Sequence, residues 1–463
     1  MRRSLPLVLL VGACRREAPP GDLGPVASAA PSASASVSVA PSASTKKPEA
    51  ALLDVVLAGD AIPQVKVLGN DLAQVFAKMP AYWGAADGRV LNLEAPVGER
   101  KGLPSDKSIL AYAAPPAWFD KLWSVARASA FVVANNHACD LGPEGLAATV
   151  AQGDKAQAKL VGAHPTDPWT RVEVARKNNR SVCVVAWTTF LNDKGKKQKG
   201  CLEGSAGAKV ARAELGKAGL ELVHQELGKK DRWQGCDARI AFIHAGREYK
   251  PQIRPVMDQA LAAAAHVDAV IVSHPHVPDL VEVVSSPAPP DPSAGDGRAA
   301  GRPVPVFRSL GNFVSNQGIA WTPGMSVELL EHEGLPDPIR TVWTRVAMLA
   351  RLRFAWDPAE VVDGGPVSAA PKHVFWGYGL LFTEREAPIT IRLRPLPLGP
   401  LDLSSDPIAQ KLAKGPKPFS DLLKSPCLLL ENATPACEAT AKPSPALEPS
   451  AVPSADPPPA PEP

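Results

Sequence analysis

From Leu52 onward, short apolar runs alternate with amphipathic stretches. Leu52 to Ala58 is apolar and stops at Gly59-Asp60. Arg89 to Leu93 stops at Glu94, and Ala130 to Ala134 stops at Asn135-Asn136-His137. Ser181 to Trp187 reads as a buried strand. Arg239 to Ile243 stops at His244, Val267 to Val272 precedes His274, and Val304 to Phe307 leads into Ser309-Leu310-Gly311-Asn312. Apolar runs of about four to eight residues bounded by turn residues predict buried strands. Between them, Asp71 to Met79, Ala117 to Arg127, Glu144 to Gln157 and Val256 to Ala265 read as helices. The third is opened by Pro143, a favoured first-turn residue. Farther on, Thr341 to Trp356, Val374 to Phe382 and Ile389 to Leu393 alternate enough to be strands of a second sheet. Strand–helix alternation predicts an α/β fold, a sheet flanked by helices.

The polar residues that close these runs matter more than the runs. Asp60, Glu94, Asn136, His244 and His274 each follow closely on an apolar stretch. In open α/β sheets, ligands bind beyond the carboxyl ends of strands. Five metal-capable side chains at five strand ends therefore converge on one edge. Asp, Glu, Asn and His form the mixed oxygen–nitrogen set that suits Mn, Fe or Zn, and no thiolate pattern points to a structural zinc site. In His274-Pro275-His276, extended backbone would turn both imidazoles to the same side.

Composition divides the chain. Of 463 residues, 50 are proline, about twice the usual share. Hydrophobic residues at 45% still require a folded part. The net charge of +3 implies no nucleic-acid partner. Residues 1–14 read as a signal peptide: Arg2 and Arg3, then a short apolar core from Leu5 to Val11, then Gly12 and Ala13 before Cys14. Val11-Gly12-Ala13-Cys14 resembles the lipobox of bacterial lipoproteins, which implies lipidation of Cys14. The membrane would then be a partner, and the protein would sit in the bacterial cell envelope, outside the cytoplasmic membrane. Residues 15–50, rich in Ala, Ser and Pro, predict a disordered tether. Residues 441–463 predict a disordered tail, and residues 285–303 a disordered insert inside a domain spanning 51–440.

Removing Cys14 leaves six cysteines, which permit fifteen full pairings. Cys427 and Cys437 flank a short segment and are the first candidates for a bridge. Cys201 with Cys236 is the second. Cys139 and Cys183 read as packed thiols.

The motifs Gly59-Asp60, Asn92-Leu93-Glu94, Asn135-Asn136-His137-Ala138-Cys139-Asp140, His244-Ala245-Gly246-Arg247-Glu248-Tyr249, His274-Pro275-His276 and Ser309-Leu310-Gly311-Asn312-Phe313 occur in this order. Together, across roughly 52–317, they resemble the CapA family. These are poly-γ-glutamate capsule biosynthesis proteins with a calcineurin-like metallophosphoesterase fold. The resemblance implies a four-layer α/β/β/α sandwich with a two-metal edge. Asp60 and His276 would serve the first metal, Glu94 would bridge, and Asn136, His244 and His274 would serve the second. His137 would be a general acid oriented by Asp140. Asn92, Asn135 and Asn312 would support the site or face substrate, and Glu248 would steer His244.

Two departures stand out. Ordinary metallophosphoesterases carry Asp-x-His at the first strand, whereas Asp60 is followed by Ala61 and Ile62. The usual bridging Asp is the longer Glu94. Three functions remain in view. One is metal-assisted hydrolysis or transfer on an anionic extracellular polymer or its precursor. A second is a non-catalytic lipoprotein that binds the polymer or a membrane synthase. A third is a phosphodiesterase unrelated to capsule. The basic run from Lys194 to Lys199 reads as a solvated loop, with a weak polymer contact as the alternative.

Overall fold

The computed structural model describes residues 51–99, 111–192, 194–290, 298–332, 334–357, 370–386, 390–396, 406–429, 434–435 and 437–440. The expected signal peptide with Cys14, the tether and the tail lie outside the described residues, as does 291–297 of the expected insert.

The fold is mixed α/β, with two large sheets. The first runs in the order Thr390–Leu396, His373–Glu386, Val346–Trp356, Ala51–Ala61, Gly88–Leu93, Ala130–Val132, Leu160–Val161. Its late-sequence members are antiparallel, and its early members are parallel. The second runs Val281–Ser285, Pro303–Phe307, Ala269–Ser273, Ala238–His244, Arg180–Thr188, Val172–Lys177. Its central strands are parallel.

Period-two alternation decides what each sheet face buries. On Arg180–Thr188, Val182, Val184 and Ala186 join one core with Val55, Leu57 and Val90 of the first sheet. Cys183, Val185 and Trp187 point the other way, into a second core with Val223, Leu227, Val256 and Ala260. Those last residues belong to helices Lys217–Leu227 and Arg254–Ala264. The buried Trp187 indole N–H donates to Gln259 Oε1 at 3.0 Å, which satisfies its one polar atom and ties the second helix to the sheet. Gly88 marks a close approach of the sheets, because a Cβ there would stand 2.7 Å from Val174 O.

Several local expectations need correction. The stretch Asp71 to Met79 forms only the short helix Leu72–Val75. Asp71 caps it by accepting from Ala73 N at 3.0 Å. Residues Val342–Arg345 form a 3-10 turn, and the strand begins only at Val346. Strand Val281–Ser285 was not expected. It pairs antiparallel with Pro303–Phe307, Ser285 opposite Pro303, so the two ends of the expected insert are held side by side in the sheet. The insert's flank is anchored: Arg298 is buried and bonds Asp268 Oδ2 at 2.7 Å.

The cysteine pairing also differs. Bridges join Cys139 to Cys201, Cys183 to Cys236, and Cys427 to Cys437. The last agrees with the first candidate. Cys201 does not pair with Cys236, and Cys139 and Cys183 are not free thiols. Their strand and loop positions looked like packing sites, but each brings its Cα within 6.3 Å of a partner distant in sequence.

Candidate metal centre

Strand register builds the site. Asp60 is directly opposite Asn92 on one side and Asn312 on the other. In the second sheet, His244 is opposite Thr188 and Ser273. Parallel strands carry their carboxyl ends to a common edge, so these residues meet there. Gly59 makes the approach possible, since a Cβ would lie 1.9 Å from Gly311 O. Asp60 N then donates to that same carbonyl at 3.0 Å.

Around Asp60, Oδ1 accepts from Asn92 Nδ2 at 2.7 Å and from Ser273 Oγ of the facing sheet. Oδ2 lies 3.2 Å from His276 Nδ1. Asn312 Oδ1 is 3.0 Å from the same nitrogen. Asn135 supports this group from behind: its Nδ2 donates to Leu93 O at 2.7 Å and to Asn92 Oδ1 at 3.2 Å. Burial alone would raise the Asp60 pKa, but the His276 and Ser273 hydrogen bonds and the nearby imidazoles hold it below its usual value. Burial opposes charge on His276, yet Asp60 beside it raises its pKa.

Glu94 lies between the two halves of the site. Its Oε2 is 3.8 Å from His276 Nδ1, and its Oε1 is 3.6 Å from His244 Nε2 and 4.0 Å from His137 Nε2. The residue is fully buried, and neither oxygen has a hydrogen-bond partner. Burial, then the neighbouring charges of Asp60, Glu248 and Asp140, push its pKa well above the ordinary range. His244 is pushed down to about 3, chiefly by burial. His274 is likewise pushed well below its usual value by burial and by the imidazoles around it. Both are therefore neutral near pH 7, the form that ligates a metal.

His244 Nε2 lies 2.8 Å from Asn136 Oδ1, and its Nδ1 lies 3.3 Å from Asn92 Nδ2. These two asparagines orient the ring. Glu248, expected in that role, is exposed at the rim and acts on the site through its charge. His137 Nδ1 is 2.7 Å from Asp140 Oδ2, which also accepts from Tyr112 N at 2.6 Å.

His274 and His276 converge, with ring centroids 5.7 Å apart, but not through extended backbone. Their φ angles are 104° and 59°. The turn is pinned on both flanks: Ala245 N donates to Ser273 O at 3.0 Å, and Tyr249 N to Pro275 O at 2.7 Å. A non-glycine residue in such a region costs on the order of 1–3 kcal/mol and marks functional sites.

The donor set fits a divalent cation. Glu94, His274 and His276 offer ligand atoms that all lie within 4.8 Å of one another. Both Glu94 oxygens and His274 Nδ1 are buried without hydrogen-bond partners, and Asp60 Oδ2 faces the His276 ring. Buried polar atoms without partners are costly, and a bound cation would satisfy Glu94 and His274 together.

Sequence reasoning missed Ser273, Tyr112 and Asn192. Ser273 directly precedes the His274 motif at a strand end, so position could have flagged it. The Tyr112 ring stands 4.4 Å from the His137 ring. Neither Tyr112 nor Asn192 sits in a pattern that points to the site.

The chain matches the family described as bacterial capsule synthesis protein PGA_cap over residues 53–317, more than half of its 463 residues. No curated protein matches it.

Proposed function

The chain belongs to the PGA_cap family of bacterial capsule synthesis proteins, and we propose that it is a metal-dependent hydrolase or transferase acting on an anionic extracellular polymer, poly-γ-glutamate or a like capsule chain, or on its precursor. The observation that carries this reading is Glu94, a fully buried carboxyl group with two unpartnered oxygens between His276 and His244. Asp60, Glu94 and His276 would hold one Mn, Fe or Zn ion. Glu94, Asn136, His244 and His274 would hold a second. Bound there, such ions supply an activated water and a clamp for developing negative charge. His137 stands within 4.0 Å of Glu94 and is held by Asp140, so its Nε2 can pass a proton to a leaving group. Asp140 is itself fixed by the Tyr112 N–H.

Bound metal after purification tests this. The wild type should carry metal, and His274→Ala and Asp60→Asn should lose most of it. Near-zero metal in all three proteins overturns the reading. On the same reading, the two sheets with helices outside them form a four-layer α/β/β/α sandwich. Lipid on Cys14 would tether the domain in the cell envelope through the 15–50 segment, and Cys14→Ser should release the protein from the membrane fraction.

A second reading rests on Ile62. It is fully buried at the second position after Asp60, where related esterases place a ligand histidine. A site short of that ligand fits a polymer-binding accessory of a membrane synthase. Poly-γ-glutamate binding at low salt, without turnover and without response to Mn, would favour it. Turnover on a phosphoester panel, with no effect on the polymer, would favour a phosphodiesterase.

A further inference from the structure

Asn192 follows the strand Arg180–Thr188 and stands exposed at the rim of the centre. It makes three contacts with the loop that carries Asn136 and His137. Its backbone N–H donates to Asn136 O at 2.9 Å. Its Oδ1 accepts from Asn136 Nδ2 at 3.2 Å. Its Nδ2 lies 3.3 Å from both ring nitrogens of His137, so it rests against the ring as a whole.

The second contact has a chemical consequence. A side-chain amide has a donor end and an acceptor end. With the Asn136 donor end held by Asn192, its oxygen faces inward, 2.8 Å from His244 Nε2. A flipped amide would point its NH2 at the centre and repel a cation. The Asn136 side chain is thus oriented by a residue 56 positions away in sequence.

The segment bearing Asn192 is itself anchored. It leads into helix Gly195–Glu203, whose Cys201 is bonded to Cys139. The same helix meets Pro143 so closely that a Cβ on Gly200 would lie 2.4 Å from Pro143 Cγ. The bridge therefore joins the positioning segment to the very loop it positions.

We propose that Asn192 is a positioning residue that fixes the Asn136 amide with its oxygen toward the centre, and that the Cys139–Cys201 disulfide keeps Asn192 in place. The effect on metal rests on the metal reading above. The effect on the Asn136 amide does not. Full-length protein would be titrated with Mn²⁺ alone by calorimetry, and the Asn136 side-chain amide followed by NMR. Loss of a group that supports a ligand weakens metal binding by about 10–100-fold. Asn192→Ala is expected to weaken Mn²⁺ binding by about tenfold and to speed solvent exchange of the Asn136 NH2. Asn192→Asp, which keeps the acceptor, should restore the slow exchange. Cys139→Ser with Cys201→Ser should act in the direction of Asn192→Ala, and Cys183→Ser with Cys236→Ser should not. Unchanged exchange in Asn192→Ala overturns the proposal, even if that variant is less stable to heat. Wild-type protein that binds no Mn²⁺ overturns the metal reading instead, and the exchange data then decide this proposal alone.

Discussion

Asp60 Oδ2 and His276 Nδ1 lie 3.2 Å apart, and both side chains are buried. Against burial, the Asp60 pKa is lowered and that of His276 raised, which favours the carboxylate–imidazolium form of the pair. Glu94 beside them is driven toward its neutral form. A cation that takes these ligands must displace their protons. Binding of Mn²⁺ near neutral pH should therefore release protons, and affinity should fall as pH falls. Calorimetry in buffers of different ionisation enthalpy reads the released protons directly. Heat that is independent of the buffer would contradict this.

Glu94→Gln should separate stability from binding. Burial already favours a neutral Glu94, and glutamine copies that state in shape and charge. In chelator, the variant should match the wild type within about 1 kcal/mol, the net scale of one hydrogen bond. Metal at about a hundred times its Kd adds about 2.7 kcal/mol to a protein that binds it. That gain should vanish in the variant. Thermal melts with and without Mn²⁺ check both parts.

Acid stability should depend on Asp54. It accepts from Arg353 Nε at 2.8 Å and from Arg351 at 2.9 Å across the antiparallel strand. Burial alone would raise its pKa, but these two guanidinium groups bring it below the usual value. A group depressed in the folded state stabilises above its unfolded pKa, about 3.9 for Asp. That contribution is lost as pH falls through the lower folded value. In urea unfolding, Asp54→Asn should cost stability at pH 7 and progressively less as the solution is acidified toward that folded value. A constant difference across the acid range would be inconsistent with this.

The disulfides should differ in worth. Cys183–Cys236 spans 53 residues and Cys427–Cys437 spans 10. The loop-entropy account gives about 4 kcal/mol for the first and about 3 for the second. Paired Cys→Ala variants, compared by denaturant unfolding, should keep that order.

The candidate ligands were legible because strand-end chemistry is local. An apolar run that stops at Asp60 or His244 announces both the strand and the residue beyond it. The path of His274 and His276 was not, because it depends on backbone contacts to Ala245 and Tyr249 from another element. The Cys139–Cys201 and Cys183–Cys236 pairings were hidden for the same reason, since sequence spacing says nothing of which turn, helix or loop lies beside each cysteine. Glu248 misled because its motif places it four residues from His244, while the nitrogens of that ring turn toward Asn92 and Asn136.

The family match ends at residue 317, yet Ala51–Ala61 pairs with Val346–Trp356 from Ala51 opposite Trp356 to Leu57 opposite Ala350. The stretch that resembles its relatives borrows one flank of its central strand from beyond its own limits. A chain cut after Gln317 would retain every candidate ligand but bare an apolar strand edge through Val55 and Leu57. Such an edge recruits a second copy of itself. The shortest piece that carries the candidate ligands would therefore be an aggregating one, and the strand that completes its sheet lies outside the stretch matched to the family.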